Sequence, residues 1–94
     1  KMETEQKPLH LDAILLQIRL ATLKREGLLK ILPIIKPGKI IIQIRDKTYG
    51  IGLNPLGYII WDYDIEKDSN PDCTTNCKYN LSLDSLEKQL KSQQ

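Results

Sequence analysis

Apolar residues alternate with period two through residues 39–63, KIIIQIRDKTYGIGLNPLGYIIWDY, and recur at helical spacing on either side of that stretch. The alternation is that of β-strands with one covered face. A first strand is expected over 39–45, with Ile40, Ile42 and Ile44 on one face and Ile41, Gln43 and Arg45 on the other. Arg45-Asp46-Lys47-Thr48 supplies a polar turn, after which Tyr49, Ile51 and Leu53 share a face of a second strand. Asn54-Pro55-Leu56-Gly57 has turn chemistry, with Pro55 presetting φ and Gly57 free to take a left-handed conformation. A third strand follows over 58–63. Together these predict a three-stranded antiparallel meander.

Residues 1–8 are polar and without periodicity, and are expected to form a disordered arm. The spacing then predicts a helix over 11–26, starting near residues 9–12 with Asp12 as its N-cap and Gly27 as its left-handed C-cap. Three apolar rows run along it: Leu11, Leu15, Ile18 and Thr22; Ile14, Ile18 and Ala21; Leu16, Leu20 and Leu23. They cover more of the circumference than a small sheet can, so part of the helix is expected to meet another helix or another subunit. Leu28-Leu29-Lys30-Ile31-Leu32-Pro33-Ile34-Ile35 is apolar around a proline and suits an extended segment or a short turn. Lys36-Pro37-Gly38 turns the chain into the first strand. Residues 64–78, rich in Asp, Asn, Ser and Thr, are expected to be an acidic, mobile loop. Tyr79 and Leu81 return to the sheet edge or core, and Ser82 caps a last helix over 83–91 with Leu83, Leu86 and Leu90 as its buried stripe. Residues 92–94 form a tail. The fold class is α+β, with the N-terminal helix, the meander, and the C-terminal helix packed on one face.

Ninety-four residues make one domain with one modest core. The start at Lys1 suggests a piece excised from a longer protein. No apolar run approaches the roughly 20 residues that span a bilayer, so no membrane partner is expected. The net charge of +2 hides an uneven distribution. Residues 17–50 hold eight bases against two acids, an excess of +6, while residues 62–72 hold five acids against Lys67. That polarity suits a basic face for phosphates with an acidic loop swung away; it suits an ordinary solubilising surface as well.

Little in the chain carries reaction chemistry. His10 is the sole imidazole, and no marked nucleophile stands beside it in sequence. Cys73 and Cys77 share one polar loop, and a metal site needs more ligands than two thiols. Reduced thiols are favoured there, with a local disulfide or a shared interchain metal as alternatives. Asp62, Asp64 and Glu66 lack calcium-loop spacing, and Gly50-Ile51-Gly52 falls on a strand rather than in a phosphate loop. The sequon Asn80-Leu81-Ser82 has meaning only in a secreted chain. A non-enzymatic module without cofactor or metal is expected.

From Thr22 onward the order of motifs resembles the RAMA (restriction enzyme adenine methylase associated) domain family. The resemblance is carried by Leu23-Lys24-Arg25-Glu26-Gly27-Leu28-Leu29, by Lys36-Pro37-Gly38, by the hairpin from Lys47 to Trp61, and by Tyr79-Asn80-Leu81-Ser82-Leu83-Asp84-Ser85-Leu86. It implies a nuclear or DNA-associated accessory module, attached to other domains and a candidate reader of adenine-methylated DNA or chromatin. Such a reader needs bases on phosphates and an aromatic surface on the nucleobase or methyl group. Lys36, Lys39, Arg45 and Lys47 are the phosphate candidates; Trp61, Tyr49 and Tyr58 are the recognition candidates. The competing assignment makes Trp61 the chief core aromatic of a chain without phenylalanine. A second function class, a protein-interaction or homodimerisation module, follows from the apolar segment 9–35.

Overall fold

The computed structural model describes residues 2–34, 36, 38–71 and 76–93, with residues 2–10 described by backbone only. In chain order the elements are α1 (Met2–Arg25), β1 (Lys30–Ile31), β2 (Lys39–Ile44), β3 (Lys47–Asn54), β4 (Gly57–Asp62), β5 (Cys77–Leu81) and α2 (Leu83–Lys91). The strands form one antiparallel sheet in the order β1-β2-β3-β4-β5. The expected three strands are its centre, and the three-stranded meander is corrected to five. Ile31 pairs with Ile42, adding β1 to the edge of β2. On the far edge, Tyr58 pairs with Leu81 and Trp61 with Cys77, with a register shift between Tyr58 and Ile60. Both additions are short and poor in alternating β-branched residues, so pairing to a neighbour rather than local propensity makes them strands.

Turn chemistry sets the register. Arg45 and Asp46 alone connect Ile44 to Lys47, a tighter turn than the four residues expected, with Arg45 at φ 58°. At the next turn the Asn54 side-chain oxygen accepts from the backbone N–H of Leu56 (2.9 Å) and of Gly57 (3.1 Å). Gly57 has φ 149°, and a Cβ there would stand 2.8 Å from the Leu81 carbonyl oxygen of β5. The position therefore requires glycine because a neighbouring strand passes so close.

Both helices cover the same face of the sheet. Leu16, Leu20 and Leu23 of α1 and Leu86 and Leu90 of α2 enclose a core with Ile42, Ile44, Tyr49, Ile51, Tyr58 and Ile60. Arg19 joins the helices, donating to Asp84 (3.3 Å) and to Glu87. Helix α1 ends in a Schellman motif: Leu28 N–H bonds the Leu23 carbonyl and Gly27 N–H the Lys24 carbonyl, each at 3.0 Å, with Gly27 at φ 82°. Its start differs from expectation, because the helix reaches back to Met2 and puts Asp12 in its interior. The Glu, Gln and Lys residues before Pro8 are good helix formers that need no apolar stripe to extend a helix. Ser82 caps α2 as the sequence indicates, its hydroxyl accepting from Ser85 N–H at 3.1 Å.

Candidate functional site

Strand alternation leaves Ile41, Gly50, Gly52, Trp61 and Tyr63 on the sheet face opposite the helices. That face is covered too. Residue Trp61 lies directly across from Gly50 in the β3–β4 ladder, and its indole fills the space above Gly50 and Gly52. Gly-x-Gly thus serves as the seat of a tryptophan.

The acidic segment closes over the indole instead of swinging away. Trp61 Nε1–H donates to the Ser69 carbonyl at 2.9 Å, and Tyr63 donates to the Asp68 carboxylate at 2.6 Å. Lys39 Nζ meets Asp68 at 2.9 Å and Asn70 at 2.9 Å, and stands 5.3 Å from the Tyr63 ring centre. Lys36 reaches Asp68 at 3.5 Å. Asp64 folds the segment internally, its carboxylate accepting from Glu66 N–H at 2.9 Å. Residues 64–71 are therefore a strap, and Asp68 is its clasp. Asp72 and Cys73, in the same run, lie outside the described residues, as does Pro37 of the Lys36-Pro37-Gly38 turn; Cys77 opens β5 half-buried.

The clasp has a pH signature. The Tyr63 hydroxyl, and then the Lys39 ammonium, hold Asp68 down to about 2. Donation to Asp68 pushes Tyr63 up to about 12. A depressed carboxylate gives stability that is present above its ordinary value of 3.8 and is lost as pH falls towards about 2. A raised phenol gives stability that is intact below 10.0 and is lost as pH climbs towards about 12. Trp61 emission is expected to shift to the red across both windows. Asp68→Asn should flatten the acid limb; an acid limb identical in that variant would show that another carboxylate closes the strap.

The seven residues expected to hold DNA are not brought together. Trp61, Tyr49 and Tyr58 are 3%, 5% and 4% exposed. Trp61 faces the strap, whereas Tyr49 and Tyr58 belong to the helix-side core. The Tyr49 hydroxyl donates to Gln93 at 3.0 Å and the Tyr58 hydroxyl to the Asp12 carbonyl at 2.7 Å. The cleft beside Trp61 holds about 40 Å³, room for water and not for a nucleobase. Lys36 and Lys39 flank the start of β2 and grip the strap, while Arg45 and Lys47 sit past its other end. Six residues of strand, roughly 20 Å, separate the two pairs.

Arg45 and Lys47 have other company. Lys30 opens β1 opposite Gln43, near the end of β2, and α1 stops at Lys24 and Arg25 a few residues earlier. All five bases are exposed at this one end of the sheet. Glu26 and Asp46 are exposed there as well.

Four of the described residues on α1 form an uncovered apolar feature. Leu11 (55% exposed), Ile14 (41%), Leu15 (40%) and Ile18 (59%) follow i, i+3, i+4, i+7 spacing on the side turned from the sheet. Isolated exposed apolar residues are ordinary, but four in one helical row are a patch. The Thr22 hydroxyl continues the row and donates to the Ile18 carbonyl at 3.1 Å, so its polar group is already satisfied. Between α1 and the sheet runs an apolar cleft of about 460 Å³, with Ala13, Leu16, Ile40, Ile51 and Leu53 in its walls. The three rows of the sequence pattern pointed to this excess; which row stays uncovered depends on where α2 docks.

Among the described residues no group of three or more His, Cys, Asp and Glu side chains could hold a metal ion. No helix is long and apolar enough to cross a membrane, among the described residues. These features define a two-layer α+β domain, helices on one sheet face and a strap on the other, with an uncovered apolar row on its longer helix. Comparison with known protein families, curated proteins and solved structures gave no match.

Proposed function

We propose that this domain is a protein-interaction module that docks a partner on the outward face of α1. The observation that carries the reading is the row Leu11, Ile14, Leu15 and Ile18, whose spacing is that of a helix-packing seam. The row stands apart from the core, in which Leu16, Leu20 and Leu23 bury α1 against the sheet. A photo-reactive phenylalanine analogue at position 18 is expected to cross-link a protein partner in cells, and one at exposed Lys88 is not. Equal labelling at both positions, or none at position 18, would remove the reading.

A second reading has an observation of its own. The exposed bases Lys24, Arg25, Lys30, Arg45 and Lys47 gather at one end and suit a phosphate backbone, which is also what the RAMA-like motifs suggest. With the recognition candidates Trp61, Tyr49 and Tyr58 buried, such binding would be insensitive to adenine methylation. Five phosphate contacts predict that log K falls against log salt with a slope of about −4 to −5. Charge reversal at Arg45 and Lys47 should reduce that slope by about 2. Duplex binding that ignores salt would exclude this reading.

A further inference from the structure

We propose that Lys36, Lys39 and the Tyr63 hydroxyl form a site for a phosphate dianion, that Asp68 is its tethered occupant, and that an incoming phosphate group releases the strap by taking the place of the Asp68 carboxylate. This site is separate from the α1 row and from the basic end of the sheet. Both Asp68 oxygens are held: Oδ1 accepts from Tyr63 at 2.6 Å and from Lys39 at 2.9 Å, and Oδ2 faces Lys36 at 3.5 Å. Donors that converge on the oxygens of one group are what an oxyanion needs, with lysine ammonium groups serving as point charges. These are not loose surface lysines. The Lys39 side chain is only 9% exposed, and its ammonium is fixed further by Asn70 at 2.9 Å and by the Tyr63 ring.

Charge makes a carboxylate an incomplete occupant. Two ammonium groups meet one carboxylate, and among the described residues neither lysine pairs with another acid. Asp64, at the start of the strap, has its carboxylate turned to the N–H groups of Glu66 (2.9 Å) and Lys67 (3.3 Å), and Glu66 is exposed. One positive charge is therefore unmatched at the clasp. A phosphate monoester, at about −1.5 to −2 near neutral pH, matches the lysine pair where a carboxylate does not. The seat also strains the strap, since Asp68 has φ 51°, a left-handed conformation that residues with a Cβ seldom adopt. Solvent reaches the clasp: the Asp68 and Lys36 side chains are 40% and 39% exposed, so an anion can approach before the strap moves. Ser69, whose carbonyl holds the Trp61 indole, is the next residue, so displacing Asp68 acts directly on the cover of Trp61.

The test uses the full chain near neutral pH and at constant ionic strength, so that screening is the same in every titration. Asp68→Gly removes the tethered carboxylate, and glycine takes φ 51° without strain, so the variant keeps its fold. Isothermal titration calorimetry with inorganic phosphate is expected to show one site in Asp68→Gly. In the parent, binding should be about tenfold weaker or more, because phosphate competes with a carboxylate held at an effective concentration of roughly millimolar order. Adding Lys36→Gln or Lys39→Gln to Asp68→Gly should weaken phosphate about fivefold or more, whereas Lys88→Gln on α2 should not. Acetate should bind Asp68→Gly about fivefold more weakly than phosphate does, or weaker still. Phenyl phosphate separates the sources: binding tighter than inorganic phosphate assigns the site to an ester, and equal or weaker binding assigns it to the free ion. In the parent, Trp61 emission should move to the red as phosphate displaces Asp68. No phosphate binding by Asp68→Gly, affinity equal to that of the parent, or an equal loss from Lys88→Gln would overturn the site. Acetate bound as tightly as phosphate would overturn the dianion, and phosphate bound by the parent with Trp61 emission unmoved would overturn release of the strap.

Discussion

Gly50→Ala is expected to destabilise the domain by about 2–4 kcal/mol, although it adds one methyl group. The new Cβ would stand 2.5 Å from Trp61 Cζ2 and 2.6 Å from Cε2, positions that atoms of a rigid ring cannot share. The indole is held on two sides. Its own strand holds it opposite Gly50, and on the outer side Nε1–H is bonded to the Ser69 carbonyl. Tipping the ring breaks that bond and strains the strap's hold on Tyr63 and Lys39, so overpacking and a lost hydrogen bond act together. In a domain whose total stability is about 5–15 kcal/mol this is a large fraction. Gly52→Ala makes a graded control, because its Cβ would sit 3.3 Å from the same ring and needs only a small adjustment. Urea unfolding followed by Trp61 fluorescence measures both. Equal midpoints for Gly50→Ala and the parent would mean that the indole is not seated on Gly50.

The same glycine shows how far the sequence could be read. Alternation over 39–63 identifies which side chains share a face, and the three central strands follow from it. It does not say whether one face or both are covered. Trp61 is as buried as the helix-side core, with the Ser69 carbonyl on its indole N–H and with Asp68 and Asn70 holding Lys39 and Tyr63 beside it. Those contacts are made by a backbone carbonyl and by polar side chains that, in sequence, resemble any solvated loop. Two lysines expected on phosphates are partners of Asp68 for the same reason. Strand β1 was hidden, and β5 was foreseen only as Tyr79 and Leu81 returning to the sheet edge or core, because two and five residues of mixed character become strands only when a neighbouring edge offers its hydrogen bonds. The apolar excess on α1 was legible since three rows on one helix cannot all face a five-stranded sheet. The caps at Gly27 and Ser82 were legible because they depend on local chemistry alone.

Leu86→Ala carries the other large effect, about 2.5–4 kcal/mol, and should undock α2 as a unit. Nine residues are too few for a helix to persist in water without tertiary support. Only Leu86 and Leu90, each 1% exposed, are fully buried from this helix. Leu83 packs partly buried against the same core, and the Arg19 bonds to Asp84 and Glu87 are partly exposed ion pairs that add little once packing is lost. Truncating Leu86 leaves a cavity in the core that it shares with Tyr49 and Ile60, and undocking α2 loosens the Gln93 contact to the Tyr49 hydroxyl. The cap variant Ser82→Ala, by contrast, should lose only about 1 kcal/mol. The two are expected not to add, because a helix already undocked has no cap left to lose. Amide hydrogen exchange distinguishes undocking from uniform weakening. In Leu86→Ala, residues 83–91 should lose protection ahead of β2, β3 and β4, which α1 and the strap still cover. Loss of protection in the central strands at the same rate would mean that α2 belongs to one cooperative unit with the sheet, and that the face shared by the two helices cannot open in parts.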